Sequence, residues 1–209
     1  MSTHPLNRIL VNVLKPLVKV VFPYRVVGRE NLPQPEAGKR YIICCNHISV
    51  VDPVFLLMGQ KHPVYFMAKS ELFQNWFTRW LLGTVMGAFP VDRGKGDMTA
   101  INHAFDLVND GKFLGIFPQG TCKRQRELGQ PKSGAALIAA RTQADVIPAC
   151  VVTKDFHVRA FRRVTLVFGK PISIDELDLQ DEERPKLRPA SRLIMERIDE
   201  LIEQQINRK

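Results

Sequence analysis

Seven short apolar runs alternate with stretches of helical periodicity, and nothing else in the 209 residues restricts the fold as much. The runs occupy positions 24–27, 41–45, 64–67, 88–91, 114–117, 146–152 and 164–168. Helical patterns at 53–58, 70–82, 97–109 and 133–143 separate them. A further helix at 191–207 puts Ile194, Ile198, Leu201 and Ile202 on one face. Strands joined through helices pair side by side and are covered on both faces, so runs such as Tyr41-Ile42-Ile43-Cys44-Cys45 carry no polar alternation. The expected class is α/β, a single mixed sheet flanked by helices, folded as one domain over residues 24–209. In such sheets the loops at strand ends carry the chemistry.

Residues 1–23 read as a separate element. Positions 6–22 are mostly aliphatic, but Arg8, Asn12, Lys15 and Lys19 recur at helical spacing. On a helical wheel they fall within about 60° of one another. A narrow cationic stripe on a broad apolar cylinder predicts an N-terminal amphipathic helix lying in an anionic membrane interface. It is too short and too charged to span a bilayer, and it lacks the cleavage pattern of a signal peptide. Pro16 predicts a kink or a break. A helix packed on the domain is the competing reading.

Thirty Lys and Arg against 21 Asp and Glu leave a formal charge of +9, which asks for an anionic partner. Nucleic acid fits poorly, because the basic residues gather at Lys123, Arg124, Arg126 and Lys132 and on the N-terminal helix without interleaved aromatics. Lys154, Arg159, Arg162 and Arg163 form another basic group, suited equally to a docking surface or an ordinary solvated face. Cys44, Cys45, Cys122 and Cys150 show no Cys-x-x-Cys spacing, and neighbours Cys44 and Cys45 should point to opposite faces of a strand. That usage suits a reducing compartment and signals neither a metal nor a cofactor.

The segment Asn46-His47-Ile48-Ser49-Val50-Val51-Asp52 follows the strand at 41–45 and precedes Pro53. Five positions apart on a straight helix, His47 and Asp52 would sit roughly 140° apart, so cooperation between them requires a turn. Proline suits the first position of a helix, with Asp52 as its cap and His47 on the loop before it. A carboxylate on one ring nitrogen would then fix the tautomer and free the other nitrogen to take a proton. A capping Asp and an unrelated loop His explain the spacing equally well. A Ser49-His47-Asp52 triad is disfavoured, since no Gly-x-Ser-x-Gly elbow surrounds Ser49.

Three further segments shift the balance. Gly87-Ala88-Phe89-Pro90-Val91-Asp92-Arg93-Gly94 ends a strand with an arginine, Phe117-Pro118-Gln119-Gly120-Thr121 follows a strand with a polar turn, and Val146-Ile147-Pro148 begins a strand broken by proline. In this order the four segments resemble the blocks of the glycerolipid acyltransferases, specifically the 1-acyl-glycerol-3-phosphate acyltransferases, from about Val27 to Ile172. The resemblance implies His47 as general base and Asp52 as its orienting carboxylate. It implies substrate contacts from Asn46, Arg93, Gln119, Gly120, Thr121, Lys123, Arg124 and Pro148. It further implies transfer of a fatty acyl group from an acyl carrier protein or coenzyme A thioester to a lysophospholipid hydroxyl, with no cofactor. The protein would be peripheral on the cytoplasmic face of the cell membrane.

Gln119 stands where these enzymes usually have Glu, and Cys122 where they have Arg. Gln keeps a hydrogen-bonding carbonyl without the charge, and Cys cannot grip a phosphate as a guanidinium does. Lys123, Arg124 and Lys132 are near enough in sequence to take over that work. The departures leave open a different acceptor, such as glycerol 3-phosphate or a lyso-aminolipid, or a lipid-binding protein without catalysis. Cys122 as an acyl carrier has no base dedicated to it.

Overall fold

The computed structural model describes residues 5–33, 38–92, 97–181 and 185–208, with side chains from residue 13 onward. Seven strands form one sheet: β1 (Tyr24–Val27), β2 (Tyr41–Cys45), β3 (Val64–Lys69), β4 (Ala88–Val91), β5 (Phe113–Ile116), β6 (Asp145–Val152) and β7 (Val164–Phe168). Their order is β1-β7-β6-β2-β5-β3-β4. Every neighbouring pair is parallel except β6 with β7, so the sheet is mixed, as expected. That arrangement gathers the C-terminal ends of β2 to β6 at one end of the sheet, beside the N-terminal ends of β1 and β7.

Alternation along β2 decides which residues face which layer. Ile42 and Cys44 join a cluster with Ala136, Ala139, Ile194 and Ile198, under α4 (Met98–Asn109), α5 (Gly134–Thr142) and α6 (Leu187–Asn207). Ile43 and Cys45 face the other way, into a cluster with Phe55, Leu56 and Leu166 under α2 (Asp52–Gly59). All five β2 residues are buried. Removing a side chain the size of isoleucine from water contributes about 1.5–3 kcal/mol, so this central strand anchors whatever leaves its end.

The helix expected over 70–82 is broken. A 3₁₀ turn spans Ser70–Phe73, α3 spans Trp76–Trp80, and a π-helical turn spans Leu81–Val85. Asn75 causes the break: its backbone is extended, and its side-chain oxygen accepts the Phe77 N–H at 2.8 Å, starting a new helix. The helix expected from 191 begins four residues earlier, at Leu187, because Pro189 falls in a first turn that needs no proline N–H. β5 starts one residue earlier than expected and leaves Phe117 in the following loop.

Residues Pro5–Val21 form one helix, α1, with Pro16 inside it, so the expected division at that proline does not occur. Pro16 removes a single N–H, and the helix end is intact, with Phe22 N–H donating to Val18 at 2.7 Å. Val13, Leu17 and Val20 are each 60–65% exposed, an apolar stripe with no covering partner among the described residues. Arg8 and Asn12 lie where no side chain is described.

Candidate active site

His47 leaves the end of β2, and the chain turns at once into α2. Its Nδ1 lies 2.9 Å from Asp52 Oδ2. The same oxygen accepts the backbone N–H groups of Ile48 and Ser49, both at 2.7 Å. Two backbone N–H groups can only donate, so Oδ2 is the acceptor toward the ring as well. Nδ1 therefore carries hydrogen, and in the neutral ring that leaves the lone pair on Nε2. Asp52 is the first residue of α2 and Val51 its N-cap, so Asp52 is not the cap expected from Pro53. Its side chain reaches back over the turn instead of forward onto the helix. Burial pushes its carboxyl above the usual carboxylate range, opposed by the hydrogen bonds from His47, Ser49 and Ile48.

The loop after β5 grips the backbone of His47 on both sides. The His47 N–H donates to Gln119 Oε1 at 2.6 Å, and the His47 carbonyl accepts the Lys123 N–H at 2.7 Å. The imidazole stacks on Phe117, ring centroids 4.2 Å apart. Its side chain is 15% exposed while Asp52 is wholly buried, so the pair presents one wet atom group and hides the other. None of this clamp is coded by spacing within the His47 segment; its signal was the second polar turn, 72 positions away.

Gly120 makes the turn possible. Its φ of 70° is left-handed, and a Cβ there would stand 2.7 Å from the side-chain carbons of Lys132. Lys132 thus lies across the turn, held by its N–H on the Pro118 carbonyl at 2.8 Å. The Lys123 ammonium passes close to Gly129. Arg126 pins the same loop to α6 through Asp199 and, at 3.1 Å, Glu203. Thr121, Cys122 and Arg124 are exposed beside it.

Other expected site residues land elsewhere. Asn46 is fully buried with its amide oxygen on Val151 N–H at 2.7 Å and its amide nitrogen on the Val151 carbonyl at 3.0 Å. Both ends of the amide meet the Val151 backbone, so Asn46 continues the β2–β6 ladder with its side chain. Pro148 sits mid-strand in β6, its ring against Gly169 and its carbonyl accepting Gly169 N–H at 2.7 Å. It makes no described contact with the His47 segment. Arg93 lies outside the described residues. Ser49 Oγ accepts the Val51 N–H at 3.4 Å and makes no described bond to His47, which leaves the triad reading without geometry.

A protein-family model described as Acyltransferase matches residues 23–152, from β1 to the end of β6, the stretch that carries the His47–Asp52 pair and its clamp from Gln119 and Lys123. The chain belongs to the acyltransferase family. A 1-acyl-sn-glycerol-3-phosphate acyltransferase of Bacillus subtilis is 33% identical over 195 residues, covering 91% of this chain and 94% of its own length. One from Streptococcus pneumoniae is 30% identical over 154 residues, 71% of this chain and 56% of its own length. The crystal structure of the 1-acyl-sn-glycerophosphate acyltransferase PlsC from Thermotoga maritima superposes with a TM-score of 0.74, covering 98% of this chain and 80% of that one at 18% identity. That last likeness establishes the shared fold.

The departures in the third block of this acyltransferase read differently against the geometry. Position 119 supplies an oxygen to the His47 N–H, which an amide does without a charge. The Gln119 side chain is nearly fully buried, and its Nε2 has no partner among the described residues. A neutral amide avoids burying a second carboxylate close to Asp52.

Cys122 is the exposed thiol of four; Cys44, Cys45 and Cys150 are buried. Burial pushes the Cys44, Cys45 and Cys150 thiols far up, and burial together with the Asp52 charge also raises Cys122. A raised thiol is a poor nucleophile, which argues against an acyl-Cys122 intermediate. An aromatic disulfide reagent should titrate one thiol in the native protein and four in denaturant. More than one native thiol would contradict the buried placement.

Proposed function

We propose that the protein moves a fatty acyl group from a thioester, of acyl carrier protein or coenzyme A, to the free hydroxyl of 1-acyl-glycerol 3-phosphate, giving phosphatidic acid. The observation that carries this reading is the oriented imidazole: Nδ1 on a buried carboxylate and Nε2 on the accessible side of the ring. The acceptor hydroxyl gives its proton to Nε2 as its oxygen attacks the thioester carbonyl carbon. The tetrahedral intermediate then collapses, breaking the carbon–sulfur bond, and the leaving thiolate takes back the proton from the imidazolium. Asp52 orients the ring and stabilises that imidazolium.

The names of the relatives support the acceptor. Arg93, by resemblance, and Lys123 and Lys132 beside the Gly120 turn are the cations proposed to meet its phosphate, with Gly120, Thr121 and Arg124 along the same loop. The test is a panel of lyso-acceptors offered to the purified protein with a labelled thioester. Phosphatidic acid should form fastest. Preference for glycerol 3-phosphate or a lyso-aminolipid would instead make positions 119 and 122 determinants of a different acceptor.

The protein is proposed to work as a peripheral protein on the cytoplasmic face of a membrane. No described helix is long and apolar enough to cross a membrane, and the exposed stripe of α1 flanked by Lys15 and Lys19 suits an anionic interface. Replacing Val13, Leu17 and Val20 together with Ser should reduce sedimentation with phosphatidylglycerol vesicles by tenfold or more, on the order of the loss of three part-buried aliphatic contacts. Unchanged sedimentation would exclude α1 as an anchor.

A further inference from the structure

Direct transfer brings two phosphate-bearing substrates together, and one cationic site cannot serve both at once. The cations proposed for the acceptor lie around the Gly120 turn. A second group lies further along the same loop, where it meets α6. A cleft of about 420 Å³ opens there, between the residues ahead of α5 and the first turns of α6. Gln130, Lys132 and Ser133 line one side, Arg188 and Arg192 the other, with buried Ser191 between the two arginines.

The three cations have no counter-ion. Among the described residues no carboxylate lines the cleft, and Lys132, Arg188 and Arg192 form no ion pair. Their neighbours are spent: Arg126 on Asp199 and Glu203, Lys186 on Asp178, and Arg197 on Glu176 and Glu200. Arg188 and Arg192, both exposed, stand four residues apart on one face of α6, where like charges repel. An anion held between them and Lys132 turns that repulsion into attraction. The start of α5 adds to the field. Ser133 makes no side-chain cap bond, and a Cβ on Gly134 would meet nothing within 4 Å, so the positive end of the helix is left open. The cleft also joins the catalytic loop: the Lys132 N–H sits on the Pro118 carbonyl, one residue before the Gln119 that holds His47.

We propose that this cleft holds the pantetheine phosphate of the acyl donor, gripped by Arg188 and Arg192 from α6 and by Lys132 from the loop. A thioester donor carries its sulfur at one end of an extended pantetheine arm and a phosphate at the other. Acyl carrier protein and coenzyme A share that phosphate, so one site accepts either. The inference rests on the thioester reading above and adds where the donor is held, on the α6 side of Lys132, with the acceptor on the Gly120 side.

The test offers the purified full chain one acyl group on three carriers: coenzyme A, 4′-phosphopantetheine and pantetheine. The acceptor is 1-acyl-glycerol 3-phosphate throughout. In the parent, KM for each phosphorylated donor should lie about tenfold or more below that for acyl-pantetheine, the scale of charge-assisted hydrogen bonds to one phosphate. Arg188→Gln with Arg192→Gln should raise KM for both phosphorylated donors about tenfold. The kcat values, the acceptor KM and the KM for acyl-pantetheine should not move, since the lost contacts bind ground and transition states alike. Arg188→Lys with Arg192→Lys should recover most of the parental KM, which a merely structural role of the arginines would not produce. A rise in acceptor KM, or an effect confined to acyl-coenzyme A, would overturn the assignment. So would a parent that uses acyl-pantetheine as well as its phosphorylated form. No transfer from any donor would overturn the acyltransfer reading and this one with it.

Discussion

Turnover of the His47→Ala protein is expected to fall by about 10²–10⁴-fold, the range that general-base assistance contributes. The structure makes this a clean test, because little of the fold depends on the ring. His47 is held through its backbone, by Gln119 and Lys123, and both of those bonds survive removal of the side chain. What is lost is the stack on Phe117 and one donor to Asp52, about 1–2 kcal/mol together. For a chain of this size that lowers the melting temperature by only about 2–8 °C. A folded variant with near-parental turnover would remove His47 from the chemistry.

Asp52 should separate activity from stability. In Asp52→Ala the backbone N–H groups of Ile48 and Ser49 and the ring Nδ1–H of His47 lose a shared acceptor inside the protein, which should cost about 3 kcal/mol and lower the melting temperature by about 6–12 °C. Asp52→Asn keeps an acceptor oxygen for the same donors and removes a buried charge. Burial raises the folded carboxyl above its unfolded value, so its contribution is fully present at acid pH and is lost as pH rises through the folded value. At neutral pH ionising Asp52 therefore costs stability, and the amide relieves that cost. Asp52→Asn should melt within a few degrees of the parent, or above it, yet turn over at least about 100-fold more slowly, since an amide cannot stabilise the imidazolium. Equal loss of stability in both variants would contradict the proposed role of the charge.

Much of this was legible in the sequence, for identifiable reasons. The central strands announce themselves because a strand covered on both faces must be apolar, the edge strands β1 and β4 through short apolar runs, and the opposed facings of Cys44 and Cys45 follow from strand geometry alone. The His47–Asp52 contact was readable because Pro53 demanded a helix start beside Asp52, which puts a turn between the two residues. The sequence could not say which atom of Asp52 collects the turn's N–H groups, since that depends on how tightly 48–51 fold back. Nor could it show that Asn46 spends its amide on Val151, 105 positions away; a polar residue beside a catalytic histidine looks alike whether it faces substrate or backbone. The break at Asn75 was hidden for a related reason: apolar periodicity runs through 70–82, while a single capping side chain decides where the helix restarts.

The proposed chemistry is direct transfer of an acyl group to a hydroxyl activated by His47. It is tested most directly by rapid-quench mixing of the purified protein with acyl-labelled thioester and 1-acyl-glycerol 3-phosphate, following label in protein and lipid together. The prediction is label passing into phosphatidic acid with none held covalently on the protein at any time. Label that first accumulates on the chain and then moves to lipid, or that never reaches phosphatidic acid, would contradict it.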